Sequence, residues 1–170
     1  NDAGHLLGSS IIEMWIQDGQ ETVKIVYSGD LGTKEKPILN DPAIIESADY
    51  VIMEATYGNR VHEHVERKEE EFLNIILKTV VIPSFAVGRS QEIIYELNKY
   101  YESHYDELKS KTQLLHNISV YVDSPLAVKA TKVFHRNAGV FDDEARGLLM
   151  KGDNPLAFTN LHFTQSVEDS

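Results

Sequence analysis

The chain has 170 residues, 42% hydrophobic and 25% charged, which fits one compact domain or two small parts of larger ones. It contains no Cys, so disulfides and thiolate metal sites are excluded and any metal must rest on His, Asp and Glu. Lys and Arg number 16 against 27 Asp and Glu, and the net charge of −11 argues against binding nucleic acid by bulk charge. A local basic or metal-centred site stays open, because charges on a remote face are screened over about 10 Å at 0.1 M salt. No apolar run approaches the roughly 18 residues of a membrane span. The start also lacks the basic flank and apolar stretch of a signal peptide. The expectation is a cytoplasmic protein with no membrane partner.

In chain order, residues 9–17 (SSIIEMWIQ) and 22–29 (TVKIVYSG) read as strands flanking Asp18-Gly19, a hairpin signal. Ile12, Met14 and Ile16 would face one side, as would Val23, Ile25 and Tyr27. Residues 41–48 (DPAIIESA) read as a short helix with Asp41 as N-cap and Pro42 at the first helical position. Residues 50–54 (YVIME) read as a short buried strand. Residues 61–78 are helical, with a charged first half and Val65, Phe72, Leu73 and Ile76 at helical spacing. The run 66–72 reads as a solvated face. Residues 80–85 (VVIPSF) read as a buried strand, and 88–104 as a helix with Ile94, Leu97 and Tyr101 on one face. Residues 118–122 (ISVYV) read as a strand, and 125–137 and 141–152 as helices.

Residues 1–60 therefore look hairpin-based and antiparallel. Residues 61–170 alternate helix and strand, which implies a parallel sheet with right-handed crossovers and a boundary near residue 60. The junction from Lys78 to Val80 lacks the Gly that usually ends a helix before a strand. Either the helix stops earlier or loop residues are missing there.

Three polar residues stand at strand ends beside glycines: His5 in DAGHLLG, Asp30 in YSGDLG and Glu54 in MEATYG. Such groups could converge on one sheet edge, and they are the usual ligands when Cys is absent. Each also has a plain structural reading: His5 as a turn residue, Asp30 as part of a turn, Glu54 as a cap.

A second constellation is PSFAVGRSQ, which links a strand end to a helix start through Gly88. Free N–H groups there, with Ser84, Arg89 and Ser90, would seat a phosphate. VDSPLA repeats the arrangement at Asp123 and Ser124, and open α/β sheets bind ligands at such carboxyl ends. The plain reading of Ser124 is an N-cap ahead of Pro125. VGRSQE lacks the Gly-x4-Gly-Lys-Ser/Thr pattern of a P-loop. His62 and His64 read as a solvated helix start. Tyr95, Tyr100, Tyr101 and Tyr105 read as helix packing, since acidic neighbours surround them where a base-stacking platform would have basic ones.

The blocks DAGHLLGSS, YSGDLG, MEATYGNR and VIPSFAVGRSQEIIYEL, in this order, resemble the β-CASP branch of the metallo-β-lactamase fold. VYVDSPLAVKAT, FDDEAR and NLHFTQSVEDS are similar to that family too. The resemblance covers nearly the whole chain. It implies an α/β fold, with antiparallel metallo-β-lactamase-like core strands in 1–60 and the first part of a parallel-sheet β-CASP domain in 61–170. It implies an RNA-processing nuclease, endo- and/or 5′-to-3′ exonucleolytic, with two zinc ions and RNA as its partner, and it leaves room for a homodimer of the intact parent. His5 would then ligate one zinc and Asp30 would bridge both. Glu54 would be the acidic residue that helps position the catalytic groups, and His62 could lie at the edge of the site.

The chain departs from the family pattern in one respect. A His-x-His-x-Asp-His motif is required and is not present; His62-x-His64 is the only H-x-H and no Asp-His follows it. In the family that motif lies before residue 1, and further histidine motifs lie beyond residue 170. The chain therefore reads as a middle piece, expected to be inactive or nearly so by itself and to hold at most a weakly bound metal. Two other readings compete: a small-molecule metallo-hydrolase on the same fold, and a non-catalytic RNA-binding or assembly subunit. The parallel-sheet insertion argues against the first, and the retained His5, Asp30 and Glu54 argue against the second.

Overall fold

A computed structural model describes residues 1–61, 68–76, 80–101 and 118–164. The chain is mixed α/β. It divides into two compact units, Asn1–Val61 with Val140–Asp143, and His62–Gly139 with Glu144–Ser170.

In the first unit, β1 (Ile12–Asp18) and β2 (Glu21–Tyr27) form the expected antiparallel hairpin. Asp18 still pairs with Glu21, so the two-residue loop is Gly19-Gln20, one residue later than the Asp-Gly signal suggested. The third strand, β3 (Tyr50–Ile52), lies parallel to β2, not antiparallel, with Ile25 opposite Tyr50 and Tyr27 opposite Ile52. Nor is β3 buried: Tyr50, Val51 and Ile52 are all exposed. The face carrying Ile12, Met14, Ile16 and Tyr27 is exposed as well. Alternation placed these residues on one face correctly, but the core lies on the other. There Val26 packs with Ala3 and Ile11 under Leu31, Ala43, Ile45 and Ala48.

Residues 41–48 are not helical. The Asp41 carboxylate accepts the N–H of Glu35 instead of a helical amide ahead of it, at 2.8 Å. The Ala43 N–H, which a cap would have drawn into the first turn, goes to the Asp2 carbonyl at 2.9 Å. A cap dipeptide cannot nucleate a turn whose amides are committed elsewhere.

In the second unit, α1 spans Lys68–Ile76, and its Phe72 ring lies 6.3 Å from that of Tyr100. α2 (Arg89–Tyr101) buries Ile94, Leu97 and Tyr101 as its periodicity predicts. β4 (Val120–Val122), α3 (Pro125–Arg136), α4 (Asp143–Met150) and β5 (Leu161–Phe163) follow, and β4 and β5 pair in parallel. Residues 80–85 form no strand among the described residues. Val81 and Phe85 are exposed, so an apolar β-branched run without a ladder partner has stayed irregular. The expectations for Val65, His62, His64, Tyr105, the Lys78 end of the junction and residues 165–170 lie outside the described residues, as does the side chain of Leu73.

Tyr101 closes the far end of α2. Its ring stacks on Phe158 at 4.3 Å, and its hydroxyl donates to the Ile118 carbonyl at 2.5 Å. Burial pushes the phenol above its ordinary value of 10.0. The unfolded chain therefore loses this proton first as pH rises. The stabilisation is whole below the unfolded value and fades as pH climbs through the folded one. Tyr101→Phe is expected to flatten the alkaline fall in unfolding free energy above about pH 10. At neutral pH it should cost about 1–3 kcal/mol, because the Ile118 carbonyl loses its donor. A difference between parent and variant that stays constant from neutral to alkaline pH would remove the assignment.

Candidate functional site

His5 sits in a loop that is tightly tied to itself. The Ser9 hydroxyl accepts the N–H groups of both His5 and Leu6 at 3.1 Å. The Ala3 N–H donates to the Ser9 carbonyl at 3.1 Å, and the Asp2 carboxylate accepts the Gly4 N–H at 2.8 Å. The Lys36 ammonium reaches across 31 positions to the His5 carbonyl at 2.8 Å. His5 therefore has a fixed backbone and a side chain that is partly open to solvent.

Asp30 follows β2 on the neighbouring loop. The Gly32 N–H donates to the Ala3 carbonyl at 2.8 Å, which pins this loop to the first. The two run so close that a side chain at Gly32 would collide with the Gly4 carbonyl. His5 Nε2 comes to 3.9 Å from Asp30 Oδ2, with Asp30 largely exposed. Glu54, just past β3, accepts the N–H of Leu31 at 3.0 Å. The parallel β2–β3 pairing is what delivers it there, because both strands end at the same edge. All three residues singled out in the sequence thus meet: two as facing side chains, the third as a clamp on the residue after Asp30.

The donor chemistry fits zinc. A neutral imidazole and a carboxylate are standard zinc ligands, and ligands sharing one tetrahedral ion stand about 3.3 Å apart. The observed 3.9 Å is near that spacing. Among the described residues no third His, Asp or Glu completes a three-donor group.

The second constellation is less open than its sequence suggests. The Gly88 N–H donates to Gln91 Oε1 at 2.7 Å, that of Ser90 to the Phe85 carbonyl at 3.2 Å, and that of Arg89 to the Val87 carbonyl at 3.2 Å. The free amides expected of a phosphate seat are therefore taken at these three positions. Side chains remain. The Ser90 hydroxyl lies 3.3 Å from that of Ser84 and donates to the Phe85 carbonyl at 2.8 Å. Arg89 is mostly exposed and pairs with Glu92 at 2.8 Å. Ser124 caps α3, its hydroxyl accepting the Ala127 N–H at 3.2 Å. The adjacent Asp123 accepts from Thr164 at 2.7 Å, which ties the end of β4 to the end of β5.

Sequence reading missed Ser9, Lys36 and Gln91. A serine four residues after His5 is a cue for a turn-closing hydroxyl. A glutamine three residues after Gly88, at the third position of a helix, is a capping-box cue for its bond to the Gly88 N–H, though nothing local marks its reach to Thr131, or the reach of Lys36 to His5.

Residues 90–170 match the Beta-Casp domain. The chain is 36% identical over 99% of its length to a ribonuclease of Thermus thermophilus, covering 37% of that protein. It is 32% identical over 98% of its length to cleavage and polyadenylation specificity factor subunit 3-I of Arabidopsis thaliana, covering 23% of it. Against the endoribonuclease YSH1 of Saccharomyces cerevisiae the identity is 28% over 98% of the chain, which covers 21% of that protein. The chain thus spans well under half the length of these curated relatives.

Proposed function

The chain belongs to the β-CASP branch of the metallo-β-lactamase-fold nucleases, and from that premise we propose that it forms part of a zinc-dependent ribonuclease. In this reading residues 1–60 are core strands of the metallo-β-lactamase type, and 61–170 are the first part of the β-CASP domain. The parent cuts RNA phosphodiester bonds, by endonucleolytic or 5′-to-3′ exonucleolytic attack, in the cytoplasm and as a homodimer. The observation that carries the reading is His5 facing Asp30 at 3.9 Å on loops locked together by backbone bonds.

His5 and Asp30 would hold the metal. When bound, the metal supplies positive charge that lowers the pKa of a water and offsets charge on the phosphodiester. The chain's own residues do the rest. Glu54 holds the Leu31 N–H and so fixes where the Asp30 carboxylate starts. Lys36 and Ser9 fix the His5 backbone from opposite sides. Farther along, the exposed Arg89 guanidinium and the Ser84 and Ser90 hydroxyls offer charge-assisted and neutral donors to the RNA backbone. Gly88 and Ser124 shape the two turns rather than contacting RNA through the groups already engaged.

The test is metal removal from the intact protein. RNA cleavage is expected to fall to background on chelation and to return with added Zn2+. Residues 1–170 in the same assay are expected to give no cleavage, because two protein donors fall short of the three that a catalytic zinc takes. Cleavage that survives exhaustive chelation, or chelator-sensitive cleavage by the 170 residues alone, would overturn the reading.

A further inference from the structure

Gln91 lies in the first turn of α2 and is fully buried, although a glutamine is an uncommon core residue. Its carboxamide is satisfied from both ends. Oε1 accepts the Gly88 N–H at 2.7 Å. Nε2 donates to the Ala86 carbonyl at 3.2 Å and to Thr131 Oγ1 at 3.0 Å, with the Ala127 carbonyl farther off at 3.5 Å. Thr131 gives its own proton to the Ala127 carbonyl at 2.9 Å, so its lone pairs are left to face the amide. The orientation of the carboxamide follows: reversed, it would set N–H against N–H at Gly88 and oxygen against oxygen at Ala86. One side chain thus joins the turn before α2 to the first turns of α3.

We infer that Gln91 is a positioning residue whose buried carboxamide clamps the Ser84–Ser90 turn to α3, holding Arg89, Ser84 and Ser90 at a fixed place beside the Asp123–Ser124 turn for contact with RNA. The inference rests on the reading that the Arg89 turn meets RNA. The physical reason is preorganisation. At a helix N-terminus the amides commonly wait for an anion, but here Gln91 supplies the oxygen itself. The turn is therefore rigid before any ligand arrives, and the guanidinium and hydroxyls start from one geometry rather than many. Glutamate could not replace it, having no N–H for Ala86 or Thr131. Methionine fills the space and satisfies neither end.

The test uses the intact protein, with RNA affinity measured under chelation so that nothing is cut, and with KM and kcat measured in zinc. Thr131→Val removes one end of the clamp and leaves the rest of the packing nearly unchanged in volume. It is expected to weaken RNA binding and raise KM by roughly three- to tenfold, with kcat within about twofold of the parent. Gln91→Met should weaken binding by roughly tenfold or more, and adding Thr131→Val to it should cost nothing further, since both act through one contact. Unchanged affinity in Thr131→Val sinks the inference, even if Gln91→Met fails to fold. So does a kcat loss equal to the affinity loss, which would mark a general defect of the fold. Arg89→Ala separates the two layers. If it leaves affinity unchanged, the RNA-contact reading fails; if it weakens binding while Thr131→Val and Gln91→Met do not, only the clamp fails.

Discussion

Replacing Asp30 by alanine in the intact protein is expected to abolish metal-dependent RNA cleavage, by about a thousandfold or more, while unfolding stability moves by less than about 0.5 kcal/mol. The asymmetry comes from where the side chain sits. Asp30 is largely exposed, and the contact it makes is with His5, at 3.9 Å. Among the described residues no cap, buried pair or core contact depends on its carboxylate. The loop around it is held by other groups, through the Gly32 N–H on Ala3 and the Leu31 N–H on Glu54. Metal binding by Asp30, as proposed above, would account for a surface carboxylate with so much backbone machinery on either side of it, and truncation to Ala would remove that ligand. Asp30→Asn makes the finer comparison. It keeps the shape and one neutral oxygen donor, so metal should be held more weakly but not lost, and added Zn2+ should recover part of the rate. Normal cleavage by Asp30→Ala would end the dinuclear assignment. Loss of cleavage together with a fall of several kcal/mol in stability would make Asp30 a structural residue instead.

What was legible in the sequence, and what was not, divides by the range of the interaction. The β1–β2 hairpin, α2 and α3 are each set by neighbours in sequence: alternation about a Gly turn, an Ile94–Leu97–Tyr101 stripe, a Ser-Pro cap. The errors arose where distant chain decides. The Asp41-Pro42 signal is a sound local cap, overridden because Ala43 bonds to Asp2 and Asp41 to Glu35. The direction of β3 and its exposure depend on how a 22-residue connection returns from Tyr27 to Tyr50, about which alternation says nothing. The Ile12 face shows the same limit. A period of two separates two faces without saying which is covered.

The candidate site follows the same division. Glycines beside His5 and Asp30 marked the loops, and motif resemblance named the residues. Their convergence is long-range, made by the Gly32–Ala3 and Leu31–Glu54 bonds. The phosphate seat at Gly88 failed in one respect because its amides find partners within five positions, a turn geometry that the Gly signal alone did not specify. Its amides were taken by Gln91 and by the carbonyls of Phe85 and Val87, and the far end of Gln91 is anchored 40 positions away on Thr131.

Gly4 carries the second large expectation. It adopts φ 62°, in the left-handed region, where a non-glycine residue costs about 1–2 kcal/mol. Steric crowding adds to this. A Cβ at Gly4 would stand 2.7 Å from Pro42 Cδ and 2.9 Å from both Pro42 Cγ and Pro42 N. The proline cannot yield freely, because Ala43 beside it is bonded to Asp2. Gly4→Ala is therefore expected to lower stability by about 2–4 kcal/mol, the backbone strain plus an overpacking penalty. The larger consequence is functional. His5 is the next residue, and any relief of the clash turns the Gly4–His5 peptide and swings the imidazole away from Asp30. A displacement of about 1 Å at a catalytic ligand is enough for roughly a hundredfold loss of rate, so cleavage should fall by at least that much in protein that remains folded. Pro42→Ala tells the two causes apart. It removes the ring that a new Cβ would strike and leaves the backbone angle as it is. In that background Gly4→Ala should recover part of the lost stability and zinc content but not all, since the left-handed angle and the 2.9 Å approach to the backbone nitrogen of residue 42 remain. Full recovery would mean that neither the angle nor the backbone approach carries strain; no recovery would mean the proline ring is not what the side chain meets. A Gly4→Ala protein with parental stability, zinc content and cleavage would show that the His5 loop is not held in this conformation at all.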